Sequence, residues 1–178
     1  MAIITKSRLS RIVDSKAIYN QKSVIFDGAR KYSKSQYATS VFLSHSHHDR
    51  DCVKDTVVFL RQMGVDVYVD WLDDSMPKDT SGETASLLKQ KIEENDKFVF
   101  LATNKSIESK WCNWEIGFGD ACKYIEKIAL FPLKDDNSEW DGNEYLQIYP
   151  YIIESDFGNY YVVFPKGKKM SLQGWLMQ

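Results

Sequence analysis

The stretch Ser40–Asp49, SVFLSHSHHD, decides how this chain is read. Val41–Ser44 is a short apolar run that ends in small and polar residues, which is the form of a buried strand running into a loop. Asp49 is placed to cap a helix whose inner face is Val53, Val57 and Leu60, and Gly64 ends that helix. Outward from there the alternation repeats. Val65–Val69 reads as a second strand, followed by a polar loop over Asp70–Thr80 that is expected to act as a gate. Thr80 and Glu83 suggest a capping box for a helix with Ala85, Leu88 and Ile92 inward. Phe98–Leu101 is the third strand, Thr103–Ser109 its loop and Trp111–Tyr124 the third helix. Ile128–Leu133 and Tyr160–Phe164 complete five strands, and Ser171–Met177 is a final helix.

Strands alternating with helices across short connections predict an α/β domain with a five-stranded parallel sheet covered on both faces. Ligands of such sheets bind beyond the carboxyl ends of the strands. That rule selects Ser44–Asp49, Asp70–Thr80 and Thr103–Trp111 as the mouth of a site.

Upstream, Leu9, Ile12, Val13 and Lys16 fall at helical spacing, and the polar stretch Ser33–Ser40 reads as a boundary. The expected division is a basic helical extension over residues 1–38 and a domain over 39–178. The net charge of −2 conceals about +6 in residues 1–39 and −8 in the rest. The basic arm reads as a solvated helix face, because no aromatic interleaving accompanies the charge, so no nucleic-acid partner is expected. Three cysteines without C-x-x-C spacing favour a reducing compartment, here the cytoplasm. No apolar run reaches membrane-spanning length.

Few residues can carry chemistry. Glu115 shares a helix face with Trp111 and Phe118. On spacing alone such a glutamate is a stripe-edge residue reaching water. The crevice loops beside it make it a candidate catalytic group. His45, His47 and His48 suggest a metal, but no acid or cysteine cluster sits at matching spacing, so no metal is expected. Ser44 lacks the G-x-S-x-G turn of a nucleophile elbow, and no P-loop or G-x-G-x-x-G follows a strand.

The runs SVFLSHSHHD at 40–49, VDVYVDWLDD at 65–74 and IEENDKFVFLATNKSIESKWCNWEIGFG at 92–119 together resemble a TIR domain. The S-x-W-C-x-x-E segment of that family is matched by Ser109, Trp111, Cys112 and Glu115. The resemblance implies a flavodoxin-like fold. It also implies one of two activities. Some TIR domains are adaptors that only assemble, and others cleave NAD at the nicotinamide–ribose bond. The enzymes resemble this chain in keeping the helix glutamate.

On that resemblance Glu115 is the expected catalytic residue, and Ser44, His45, Tyr68, Trp71 and Trp111 are expected near the nucleotide. NAD is then substrate rather than cofactor. A short chain that is nearly all TIR domain is similar to the stand-alone bacterial proteins of Thoeris-type antiphage systems. That similarity implies self-association on activation and a separate effector reached through a diffusible nucleotide. The aromatic surface of Tyr68, Trp71 and Trp111 would exclude water and favour a cyclic ADP-ribose isomer as product. The alternatives are a non-catalytic scaffold and a secreted virulence effector. A phospho-acceptor receiver is disfavoured, because His45, Ser46 and His47 stand where its acidic pair belongs.

Overall fold

A computed structural model describes residues 2–16, 24–27, 38–77, 79, 81–140, 142 and 144–178. The sheet is built from β1 (Ile4–Thr5), β2 (Ser40–Ser44), β3 (Asp66–Tyr68), β4 (Lys97–Ala102), β5 (Ile128–Lys134), β6 (Tyr151–Glu154), β7 (Tyr160–Val163) and β8 (Lys169–Ser171). Its order is β3-β2-β4-β5-β6-β7-β8, with β1 paired to β5. Neighbours from β3 to β6 run parallel, while β7 and β8 return antiparallel. The helices are α1 (Lys6–Lys16), α2 (Arg50–Arg61), α3 (Gly82–Glu94), α4 (Asn104–Glu108), α5 (Lys110–Cys122) and α6 (Leu172–Leu176).

Three layers result. Every residue of β2 and β4 is buried, as a parallel strand covered on both faces requires. One core joins α1, α2 and α6 to the sheet through Leu9, Val13, Val57, Leu60 and Trp175. The other joins α3 and α5 through Leu88, Ile92, Cys112 and Ile116. Gly119 lets α5 lie close on β4, since a Cβ there would come within 3.1 Å of the Phe98 ring. Gly64, at φ +83°, turns the chain from α2 into β3.

The mixed α/β architecture agrees with the expectation; β3, β2, β4, β5 and β6 run parallel, with β1 parallel beside β5, but the last of the row is β6 rather than the expected Tyr160–Phe164. The loop expected over Thr103–Ser109 contains α4. Asp49 makes no side-chain cap to α2 and is held by Thr103 instead. At α3 the capping box is formed by Ser81 and Thr84. Thr80 lies outside the described residues.

The largest difference concerns the arm. Residues 2–16 are not an accessory unit. Ile4 pairs with Leu133, and Ala2 bridges to Glu154. The Arg8 guanidinium donates to both Glu154 carboxylate oxygens, with a closest distance of 2.6 Å. Ile4, Leu9, Ile12 and Val13 are at most 4% exposed and belong to the main core. Burying four such side chains contributes on the order of 6–12 kcal/mol, comparable to the roughly 5–15 kcal/mol that stabilises a whole domain. The weakly patterned segment to residue 37 lies mostly outside the described residues, apart from 24–27, where Phe26 also joins the core.

Candidate active site

The site forms where β2, β3 and β4 end. Ser44 is the last residue of β2 and is buried. The Ser109 hydroxyl accepts from the Cys112 amide and so caps α5 at its start. From that cap the helix carries Trp111 and Glu115, one turn apart, onto the cleft, while Cys112, Ile116 and Gly119 face inward. The cleft has a volume of about 360 Å³ and is also bordered by His45, His47, Asp70 and Leu88.

Glu115 is 6% exposed, and its Oε2 accepts a hydrogen bond from Ser44 Oγ at 2.5 Å. Burial pushes its carboxyl up to about 8; the Ser44 bond opposes that rise, and the charge of Asp70 reinforces it. The carboxyl therefore keeps its proton near neutral pH, and a cationic ligand would favour its ionisation. Cys112 is pushed up to about 12, first by burial and then by Glu115, so its thiol is inert.

His45 is buried with its Nδ1 2.9 Å from the Leu43 carbonyl oxygen, which fixes the ring. Its Nε2 lies 3.4 Å from Asp70 Oδ1. Burial lowers the His45 pKa despite the nearby carboxylate. Asp70 opens a short 3-10 turn, Asp70–Leu72, at the end of β3.

Of the residues expected at the nucleotide, Ser44, His45, Trp111 and Glu115 come together. Tyr68 and Trp71 do not line the cleft. Tyr68 is 1% exposed, stacks on Phe42 and donates its hydroxyl to Asp73 at 3.0 Å. Asp73 also faces Lys91 at 3.7 Å, so the first part of the expected gate is tied down. Trp71 turns into the other core, against Phe26 and beneath the Arg50 guanidinium. Sequence reasoning passed over Asp70 as a site residue. Its position at the carboxyl end of a parallel strand was the available signal. Lys105 and Glu108 of α4 also border the cleft and were read as loop.

A family model described as TIR domain matches residues 41–156. The chain belongs to the TIR domain family. A protein of Bacillus cereus strain MSX-D12 is 28% identical over 166 residues, spanning 88% of this chain and 84% of that one. It is named "Probable 3' cyclic ADP-D-ribose synthase ThsB'". A protein of Cytobacillus dafuensis, provisionally named as the cyclic ADP-D-ribose synthase TIR2, is 32% identical over 81 residues, or 44% of this chain and 21% of its own. The TIR match covers β2 through β6, so the strands and α5, which carry the cleft, lie inside it. No described helix is long and apolar enough to cross a membrane.

Proposed function

We propose that this TIR domain cleaves NAD at the bond between nicotinamide and ribose and releases a cyclic ADP-ribose isomer as a signal in antiphage defence. The observation that carries this reading is the buried Glu115 carboxyl, opening onto the cleft and held by Ser44. The family membership and the names of the two relatives support it.

The chemistry asks little of the protein beyond that carboxylate. The nicotinamide ring of NAD is cationic. When the C1′–N bond breaks, its electron pair leaves with nicotinamide as a neutral base, so no general acid is needed, unlike ordinary glycoside hydrolysis. Positive charge then develops on the ribose. An ionised Glu115 opposes it and accepts hydrogen bonds from ribose hydroxyls. Arrival of the cationic substrate favours ionisation of a carboxyl that burial holds up at about 8. Trp111, one turn earlier, offers a flat apolar face to a ring.

Capture of the ribosyl cation by a hydroxyl or ring nitrogen of the same molecule, with loss of a proton, closes the cyclic product. Capture by water would give linear ADP-ribose. Trp111 and Leu88 supply the apolar wall of the cleft, a role to which Tyr68 and Trp71 do not contribute directly. Self-association on activation belongs to the same reading. It is supported by the exposed Tyr145 and Ile148 of the 3-10 turn Glu144–Ile148 and the exposed Tyr151 that follows it. The diffusible product would act on a separate effector.

Incubating the purified chain with NAD tests the reading. Nicotinamide release by chromatography and a product one water lighter than ADP-ribose by mass spectrometry are expected. Linear ADP-ribose alone would leave a plain NAD-depleting enzyme. Absence of turnover in the concentrated, assembled protein would favour a non-catalytic scaffold.

A further inference from the structure

The rim of the cleft brings together two imidazoles and a carboxylate. His45, His47 and Asp70 each offer a ligand atom, and these atoms all lie within 4.8 Å of one another. We propose that these three residues bind a single zinc-class divalent ion, with the remaining coordination position open to the cleft.

The orientation of His45 is the main argument. The Leu43 carbonyl can only accept, so the Nδ1 that faces it at 2.9 Å carries the hydrogen. That leaves Nε2 aimed at Asp70. The His45 side chain is 3% exposed, and Nε2 has no hydrogen-bond partner. A buried ring nitrogen facing a carboxylate at 3.4 Å, too poorly aligned for a hydrogen bond, calls for a cation between them. Metal-ligating histidines are held in this way, with the second ring nitrogen donating to a backbone carbonyl.

The spacing fits as well. Zinc bonds to nitrogen and oxygen are about 2.0–2.1 Å, so two ligand atoms of a tetrahedral site stand about 3.4 Å apart. The His45 and Asp70 atoms already stand at that separation. His47 is exposed on the 3-10 turn His47–Asp49, its ring edge-on to His45 with centroids 5.9 Å apart. Rotating its side chain brings in the third ligand without disturbing the core. Two imidazoles and one carboxylate suit zinc-class ions rather than calcium or magnesium, which take oxygen ligands. Among the charged side chains that border the cleft, Asp70 and Glu108 outnumber Lys105, and Glu115 adds a further negative charge when ionised. An ion at this rim would offset that excess before an anionic diphosphate entered. Spacing along the chain hides the site, because Asp70 arrives from the next parallel strand.

Metal binding is measured directly, so its outcome is separate from that of NAD turnover. The full chain, stripped with EDTA, is titrated with cobalt(II) while the visible ligand-field bands are recorded, and with zinc by calorimetry. One ion per chain with tetrahedral-type cobalt absorption is expected. His47→Ala and Asp70→Asn should each weaken binding by more than the roughly 10–100-fold that loss of an outer partner costs. Circular dichroism checks that both variants fold, which the exposure of His47 favours. Absence of cobalt bands and zinc heat overturns the proposal, and so does binding that both variants retain at wild-type affinity.

Discussion

Two buried carboxylates in this domain each accept a hydroxyl hydrogen bond of 2.5 Å, and they do different work. Glu115 is held by Ser44 at the end of β2, and Asp49 is held by Thr103 just beyond the end of β4. Both acids are nearly inaccessible, at 6% and 4% exposure. Thr103 belongs to a dense local network. Its hydroxyl also accepts from the Ser106 amide, and the Ser106 hydroxyl donates to the Leu101 carbonyl. That pair fastens the loop after β2 to the start of α4. Glu115 opens onto the cleft. Neither burial nor a short hydrogen bond separates a reacting group from a structural fastening. What separates them is whether the carboxylate can meet a ligand.

Replacing each acid puts that difference to the test. Glu115→Gln keeps shape and removes the charge that, in the proposed reaction, opposes the ribosyl cation. NAD cleavage should fall on the order of 100-fold or more, with the melting temperature retained or raised. Near-wild-type turnover in that variant would dissolve the distinction. Ser44→Ala should come next. It removes a hydrogen bond to a charged group, worth about 1.5–3 kcal/mol, so the rate should drop roughly 10- to 100-fold. Steady-state kinetics on folded protein would reveal whether kcat, rather than KM, takes the loss.

On the other side, Asp49→Ala leaves the Thr103 hydroxyl without its strongest acceptor. Denaturant unfolding should register a loss of about 1–3 kcal/mol. A larger loss of turnover than in Ser44→Ala, with the fold intact, would mean that Asp49 belongs to the reaction after all.

The gentlest probe is pH. The Glu115 carboxyl is raised to about 8 in the fold from an ordinary 4.5. The folded state therefore holds a proton that the unfolded chain has released. That stabilisation is fully present below about 4.5 and is lost as pH climbs through about 8. Melting curves of wild type against Glu115→Gln across that window should differ in slope, the variant being flatter. Catalysis runs the opposite way. If the ionised form reacts, as proposed, kcat/KM should rise toward pH 8, and the kcat profile should rise at lower pH because bound cationic substrate favours the carboxylate.

Much of this was legible in the chain. The strands β2, β4 and β5 each contain a continuous apolar run, and the segment from Ser109 to Glu115 carries its own helix start and its acid. β6 was missed because it offers only Ile152 and Ile153 as buried residues, directly after Pro150. With no strand assigned there, Tyr160–Phe164 takes its place in the reading, although the strand found there, Tyr160–Val163, returns antiparallel. α4 has five residues, too few for a helical period. At the site, adjacent residues part company: the turn after β3 sends Asp70 to the cleft and Trp71 to the opposite core. Proximity along the chain to a crevice loop does not decide which of two neighbours faces it. β1 was invisible for a simpler reason. Two residues have no periodicity, and their partners are more than a hundred positions away.

That distance has a meaning in time. The Ser7 hydroxyl reaches Asp136 across 129 residues, and Ile4 needs Leu133 beside it. A ribosome adds about 5–20 residues per second, so the leading segment waits roughly 6–26 s before its partner exists. Over that interval α1 can already pack on α2, its main partner, while Ile4 still has no strand beside it. The sheet acquires β1 only after α5, the helix that carries Glu115, has been made.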